Sequence, residues 1–193
     1  LSSSSAASDV YKRQIYNRGV EKRIIFLDDE DRTMFMHHLF ALNNRKSLTN
    51  LPRQRDQKIE RDPLVKIHGF CLMNNHYHLL IEEIIENGIS RFMQKIGTGY
   101  TMYFNKKYQR SGSLFQGRFK YKHINTDAHM NYILDYIHLN PFGIENISSL
   151  NELEQYKWSS LPIYLDMPIK KFSSVIESDY FLNFYTNQNN MRN

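Results

Sequence analysis

Two strand-length apolar runs, VKIHGFCLM (65–73) and HYHLLIEE (76–83), flank the dipeptide Asn74-Asn75. No other feature narrows the fold as much. The runs have the length and side chains of strands, and two asparagines can supply a tight turn, so the segment is expected to be an antiparallel hairpin. The sequence on either side offers the elements to cover it. Asp28, Asp29 and Glu30 put negative charge where a helix N-terminus favours it, and Phe35, Leu39 and Leu42 recur at helical spacing, predicting a helix over about 29–44. A second helix is expected from 89 to about 107, with Phe92, Ile96, Tyr100 and Tyr103 along one side. Residues 119–124 read as a short strand, and 127–139 as a third helix that Pro141 and Gly143 terminate. Ile15 to Val20 reads as the end of a strand running into a glycine turn. The resulting order is strand, helix, strand, strand, helix, strand, helix. It predicts an α+β split βαβ sandwich with an antiparallel sheet and the last helix added against it.

Three segments lie outside that pattern. Residues 1–14, LSSSSAASDVYKRQ, have neither a basic n-region nor a long apolar stretch, so they are not a signal peptide. They are similar to translated adapter sequence and are set aside from the fold, with the start of the first strand expected to be missing. Arg45 to Asp62 is polar and reads as a loop. The fold proper is therefore expected over 15–143, with 144–193, which contains Trp158 and Phe181, as a helical tail. One cysteine, Cys71, excludes an internal disulfide framework and suits a reducing cytoplasm. No apolar run reaches the roughly 18–20 residues of a membrane span.

The net charge of +5 matters because it is concentrated. From Asn87 to Thr126 there is no Asp or Glu, while Arg91, Lys95, Lys106, Lys107, Arg110, Arg118, Lys120 and Lys122 are interleaved with eight Phe and Tyr residues. Cations neutralise phosphates and aromatic faces stack unpaired bases, so the stretch suits single-stranded nucleic acid. The alternative is that the aromatic residues are core and the cations only solvate the surface.

In HYH, strand alternation projects His76 and His78 to one face and Tyr77 to the other. Two imidazoles on one face make half of a metal site, though such pairs also arise by chance. In YIHLNP (136–141), Tyr136 and Asn140 stand four apart on one helix face, so an amide oxygen could complete a three-ligand site beside a phenol nucleophile. Equally, Tyr136 could be core and Asn140 a helix end. His138 is expected to point away from Tyr136, and His68, His123 and His129 to be structural.

IYNRGVEKRIIF (15–26), FCLMNNHYHLLI (70–81), SGSLFQGRFK (111–120) and YIHLNP (136–141) together resemble the HUH single-tyrosine transposases, in particular the REP-associated tyrosine transposases. The four stretches keep the family's order across about two thirds of the chain. One departure is Asn74, where relatives usually carry proline. The resemblance implies a ferredoxin-like domain with His76, His78 and Asn140 holding Mg²⁺ or Mn²⁺ and Tyr136 as nucleophile. It further implies single-stranded DNA with hairpin structure as partner, cleaved and rejoined through a 5′-phosphotyrosine, by a monomer or homodimer. Arg18, Lys106, Lys107, Arg110, Arg118 and Lys120 are expected to contact that DNA, with Gly112 and Gly117 either admitting phosphates or forming plain turns. Two rivals remain: a non-catalytic single-strand binding module, and a zinc hydrolase. The hydrolase needs a third ligand, and Cys71, five residues from His76, is expected on the opposite face.

Overall fold

Four strands form one antiparallel sheet: β1 (Lys12–Arg18), β2 (Val65–Met73), β3 (His76–Glu83) and β4 (Lys120–Ile124), in the order β2-β3-β1-β4. The structure, a computed structural model, describes residues 11–46, 61–165, 167, 172–179 and 181–182. Helices α1 (Asp29–Ala41) and α2 (Gly88–Lys107) cover one face, and α3 (Asp127–Leu139) covers the other. Strand alternation divides the core accordingly. Ile15, Tyr77, Leu79 and Ile81 pack with Phe35, Phe92 and Tyr100 of α1 and α2, whereas Leu80 packs with Met130, Ile133, Leu134 and Ile137 of α3. This is the expected split βαβ sandwich with one added helix.

The hairpin turns at Asn74-Asn75, pairing Met73 with His76. Asn74 departs from the usual proline usefully: its backbone N–H donates to Glu145 Oε1 (2.9 Å), a bond proline cannot make. Its carbonyl accepts from Ile25 and Phe26, so the turn is clamped to the segment entering α1. Helix α1 starts where the acidic residues 28–30 predicted, with Asp28 as its cap, Oδ1 accepting from the Asp31 N–H at 2.9 Å. The helix stops three residues earlier than periodicity suggests. Asn43 instead turns its amide to the entry of β2, accepting from the Leu64 and Val65 N–H groups and donating to the Val65 carbonyl.

Two further differences are larger. Strand β1 starts at Lys12, so Lys12, Arg13 and Gln14 belong to the fold although they fall in the segment set aside; residues 1–10 lie outside the described residues. The reason is topological. β1 is an inner strand, and these three residues pair with Glu82, Ile81 and Leu80 on one side and with Ile124, His123 and Lys122 on the other. The segment after Gly143 also does more than trail. It adds two short helices, α4 (Leu150–Glu154) and α5 (Leu161–Tyr164), and covers the otherwise open edge of β2. Leu72 N–H donates to the Trp158 carbonyl (2.8 Å), Ser160 N–H to Phe70 (3.0 Å) and Glu177 N–H to Ile67 (2.8 Å). Covering an apolar edge removes a template for aggregation, and Trp158 and Phe181 seal the two cores. The loop expected over 45–62 lies mostly outside the described residues.

A hydrogen-bonded cluster around Glu82 fastens this tail. The His68 ring lies between Glu82 Oε2 (2.9 Å) and the Glu177 carbonyl (3.3 Å), and Lys66 Nζ reaches Glu82 Oε1 (3.1 Å). The His68 hydrogen bond, reinforced by Lys66, holds the Glu82 carboxyl down at about 2. A depressed carboxyl stabilises the fold above its unfolded value near 4.5 and loses that contribution as pH falls toward 2. Glu82→Gln is therefore expected to cost about 2 kcal/mol at pH 7, with the gap from wild type narrowing below pH 4.5. Urea unfolding of both proteins at pH 7 and pH 2.5 measures it; a constant gap contradicts the assignment.

Candidate active site

The site lies on the α3 face of the sheet, where three strands and one helix each contribute. In register, Arg18 of β1 stands opposite His76, Tyr16 opposite His78, and Lys120 of β4 opposite Tyr16. Helix α3 starts at the Thr126 cap, whose Oγ1 accepts from His129 N–H (3.1 Å), and buries Met130, Ile133, Leu134 and Ile137 against the sheet. That stripe fixes the rotation of the helix and leaves Tyr136 beside the histidines, 42% exposed. Its ring stands perpendicular to His78 with centroids 5.8 Å apart, and the His76 and His78 rings meet edge to face at 5.4 Å. One turn on, Asn140 closes α3 and its side chain hydrogen-bonds the His76 ring. The structure thus gathers all four residues singled out from the sequence.

Burial lowers both imidazoles. Desolvation, followed by the Arg18 charge, lowers His76 against the opposing hydrogen bond from Asn140. Desolvation, His76 and the Lys122 charge push His78 down to about 3. Neutral imidazoles are what metal ligation requires. Their tautomers are set from behind. His76 Nδ1 lies 2.6 Å from Asn75 Oδ1, which can only accept, so Nδ1 carries the proton and Nε2 is the nitrogen left on the side of Asn140. Behind His78, the Gln14 amide lies 3.2 Å from Nδ1, and its Oε1 is buried without a partner. Turning that amide over gives Nδ1–H an acceptor and frees His78 Nε2. Two imidazole nitrogens and an amide oxygen fit a divalent ion that completes its shell with water and phosphate oxygens. Among the described residues, no group of three or more His, Cys, Asp and Glu could hold one, so the amide is essential to this reading.

Sequence reasoning placed neither Gln14 nor Tyr16 at the metal site, and counted Lys122 only among the cations of the basic stretch. Tyr16 stacks on His78 (5.6 Å, 23°), and Lys122 lies opposite Gln14 in register. Parity was the available signal: Gln14, Tyr16 and Arg18 alternate on one strand face, so placing Arg18 at the site places all three.

Some expectations need correction. Cys71 faces the same side as His78, directly opposite it in register, because the count along a continuous strand ignores the turn between them. It is nonetheless sealed within the α3 core, where burial pushes its thiol well up, so it offers no ready thiolate. Four of the eight aromatic residues of the basic stretch, Phe92, Tyr100, Phe104 and Phe115, are buried, Tyr103, Tyr108 and Phe119 pack partly buried against the core, and Tyr121 is half exposed. Of the cations expected to bind DNA, Arg18, Lys106, Arg118 and Lys120 are exposed. Lys107 is different. Its ammonium is enclosed by Asp28 (2.8 Å), Glu30 (3.0 Å) and Asp31 (2.9 Å), tying the end of α2 to the start of α1. Arg110 donates to Asn105 Oδ1 and the Ser113 carbonyl, which shapes the loop. Both are structural staples in this fold, occupied before any phosphate arrives. His138 is buried against Ser160 Oγ (2.7 Å), away from the site as expected.

Lys107→Ala is therefore expected to destabilise the fold by about 2 kcal/mol, because Asp31 is fully buried and loses its cation. Exposed Lys106→Ala should stay within about 0.5 kcal/mol. Chemical denaturation of the two variants tests this, and equal stabilities would refute the staple.

The comparisons with known proteins agree with this fold. The family model described as "Transposase IS200 like" matches residues 32–140, more than half of the chain. This chain belongs to the IS200-like transposase family. The matched span contains His76, His78 and Tyr136 and ends on Asn140. Among solved structures, the fold is similar to a REP-associated tyrosine transposase bound to a REP hairpin, with a TM-score of 0.56 and 16% identity. The alignment covers 82% of this chain and 83% of that one. No curated protein sequence matches the chain. Among the described residues of this transposase-family chain, no helix is long and apolar enough to cross a membrane.

Proposed function

We propose that this family member cleaves and rejoins hairpin-bearing single-stranded DNA, with Tyr136 as nucleophile and a divalent ion held by His76, His78 and Asn140. The single observation that carries the reading is the placement of a half-exposed phenol edge-on to an imidazole whose neighbours are a second imidazole and an amide. A bound Mg²⁺ or Mn²⁺ would supply charge withdrawal from a non-bridging phosphate oxygen.

The chain's own residues do the rest. The Tyr136 oxygen forms a bond to phosphorus as the bond to the 3′ oxygen breaks, leaving a free 3′-OH and a 5′-phosphotyrosine. The phenol proton goes to solvent or to the departing oxygen. Attack by a 3′-OH reverses the step and rejoins a strand without an external energy source. Asn75 and Gln14 orient the imidazoles from behind, and Tyr16 fixes the plane of His78. Arg18, exposed beside His76, and Lys120, opposite Tyr16, are placed to receive the flanking phosphates.

The test is incubation of the protein with labelled single-stranded hairpins and Mn²⁺. A protein–DNA band that survives denaturation supports the proposal. Its absence across a broad hairpin set leaves a binding module, which the exposed cations would also serve.

A further inference from the structure

On the face of the sheet opposite the histidines, a groove of about 950 Å³ runs between α2 and the segment 113–121. Met102, Thr98 and Gln94 of α2 form one wall, and Arg118, Phe119 and Tyr121 form the other. All the lining residues except Asn17 and Tyr77 come from the acid-free stretch 87–126, and no carboxylate lines the groove. Two of its large apolar side chains are exposed. Met102 is 68% exposed and Tyr121 50%. A Cβ added at Gly97 would meet nothing within 4 Å.

We infer that this groove receives unpaired bases of the same DNA strand that the histidine site acts on, so the strand passes around the edge of the sheet at β4. The inference rests on the proposed single-stranded substrate and adds a second contact surface for it. Exposed Met102 and Tyr121 set among uncharged polar side chains and Arg118, without a carboxylate, favour a polyanion carrying stackable rings over a peptide or an acidic partner. Strand β4 is built for such a passage: Lys120, Tyr121, Lys122 and His123 are all exposed on it. By alternation its lysines face the histidine side, and Tyr121 lines the groove. About 10 Å, two inter-strand spacings, separates β3 from β4, and a stacked strand advances about 3.4 Å per nucleotide, so a few nucleotides connect the two faces. Arg13 extends the cationic rim, its guanidinium 4.9 Å from the centre of the Tyr121 ring.

The experiment uses the full chain and a fluorescein-labelled oligothymidylate of 12 nucleotides, read by anisotropy across a salt series. Gly97→Phe fills the groove from a position with open space, and Thr98→Trp fills it from the next residue; thermal unfolding confirms that each remains folded. Both should weaken binding about tenfold with the salt slope unchanged, because they displace bases and not phosphates. Lys120→Ala should lower the slope instead. Unchanged affinity in both filled variants overturns the groove, as does a wild type that does not bind the oligonucleotide. The covalent assay with hairpin DNA separates this from the proposed chemistry. An adduct in wild type with no effect of filling leaves the chemistry standing and removes the groove, and the reverse pattern keeps the groove and removes the phosphotyrosine.

Discussion

Tyr136→Phe is expected to abolish the covalent protein–DNA adduct and all strand transfer while leaving the fold and hairpin binding intact. The substitution removes one oxygen and keeps the ring that meets His78 edge-on. Because the side chain is 42% exposed, the change in stability should stay within about 0.5 kcal/mol. The loss of activity should be on the order of 10⁴-fold or more, since no neighbouring atom substitutes for the attacking oxygen. The measurement is a denaturing gel of wild type and variant with labelled hairpin DNA and Mn²⁺. A water-nucleophile hydrolase would survive the change. A band that persists would move the nucleophile to Tyr132, one turn earlier on α3 and 66% exposed. Either outcome would end the present assignment.

His76→Ala and His78→Ala should each suppress cleavage by more than the roughly 10–100-fold typical of losing an outer partner of a metal ligand. Hairpin affinity should change little, because the cations proposed to meet phosphate are other side chains, Arg18, Arg118 and Lys120. Gel shift and cleavage assays on the same preparations separate the two effects. The His78 variant is the stricter of the pair. His78 is nearly buried between Tyr16 and Tyr136, so if its role were only packing, binding and cleavage would decline together with the melting temperature. Parallel decline would refute the ligand role.

Much of this site was legible without a fold. The alternation in His76-Tyr77-His78 separates two imidazoles from a core tyrosine in any strand. The four-residue spacing of Tyr136 and Asn140 joins them on any helix. These are consequences of local geometry, which the chain carries in its order of residues. The hairpin, the acidic start of α1 and the extent of α3 follow for the same reason.

Only the tertiary structure decided the properties that depend on what lies across a strand or over an edge. Lys107 looks like any other cation of the acid-free stretch until α1 brings Asp28, Glu30 and Asp31 around it. Cys71 takes its side of the sheet from pairing across the turn and not from its distance to His76 along the chain. Gln14 acquires its place behind His78 because β1 is inserted between β3 and β4, a choice made by long-range pairing. The weakly patterned segment after Gly143 covers the edge of β2 through backbone hydrogen bonds, which leave almost no mark on side-chain periodicity. Local spacing determined which residues could act together. Long-range pairing decided which charges remain free to act.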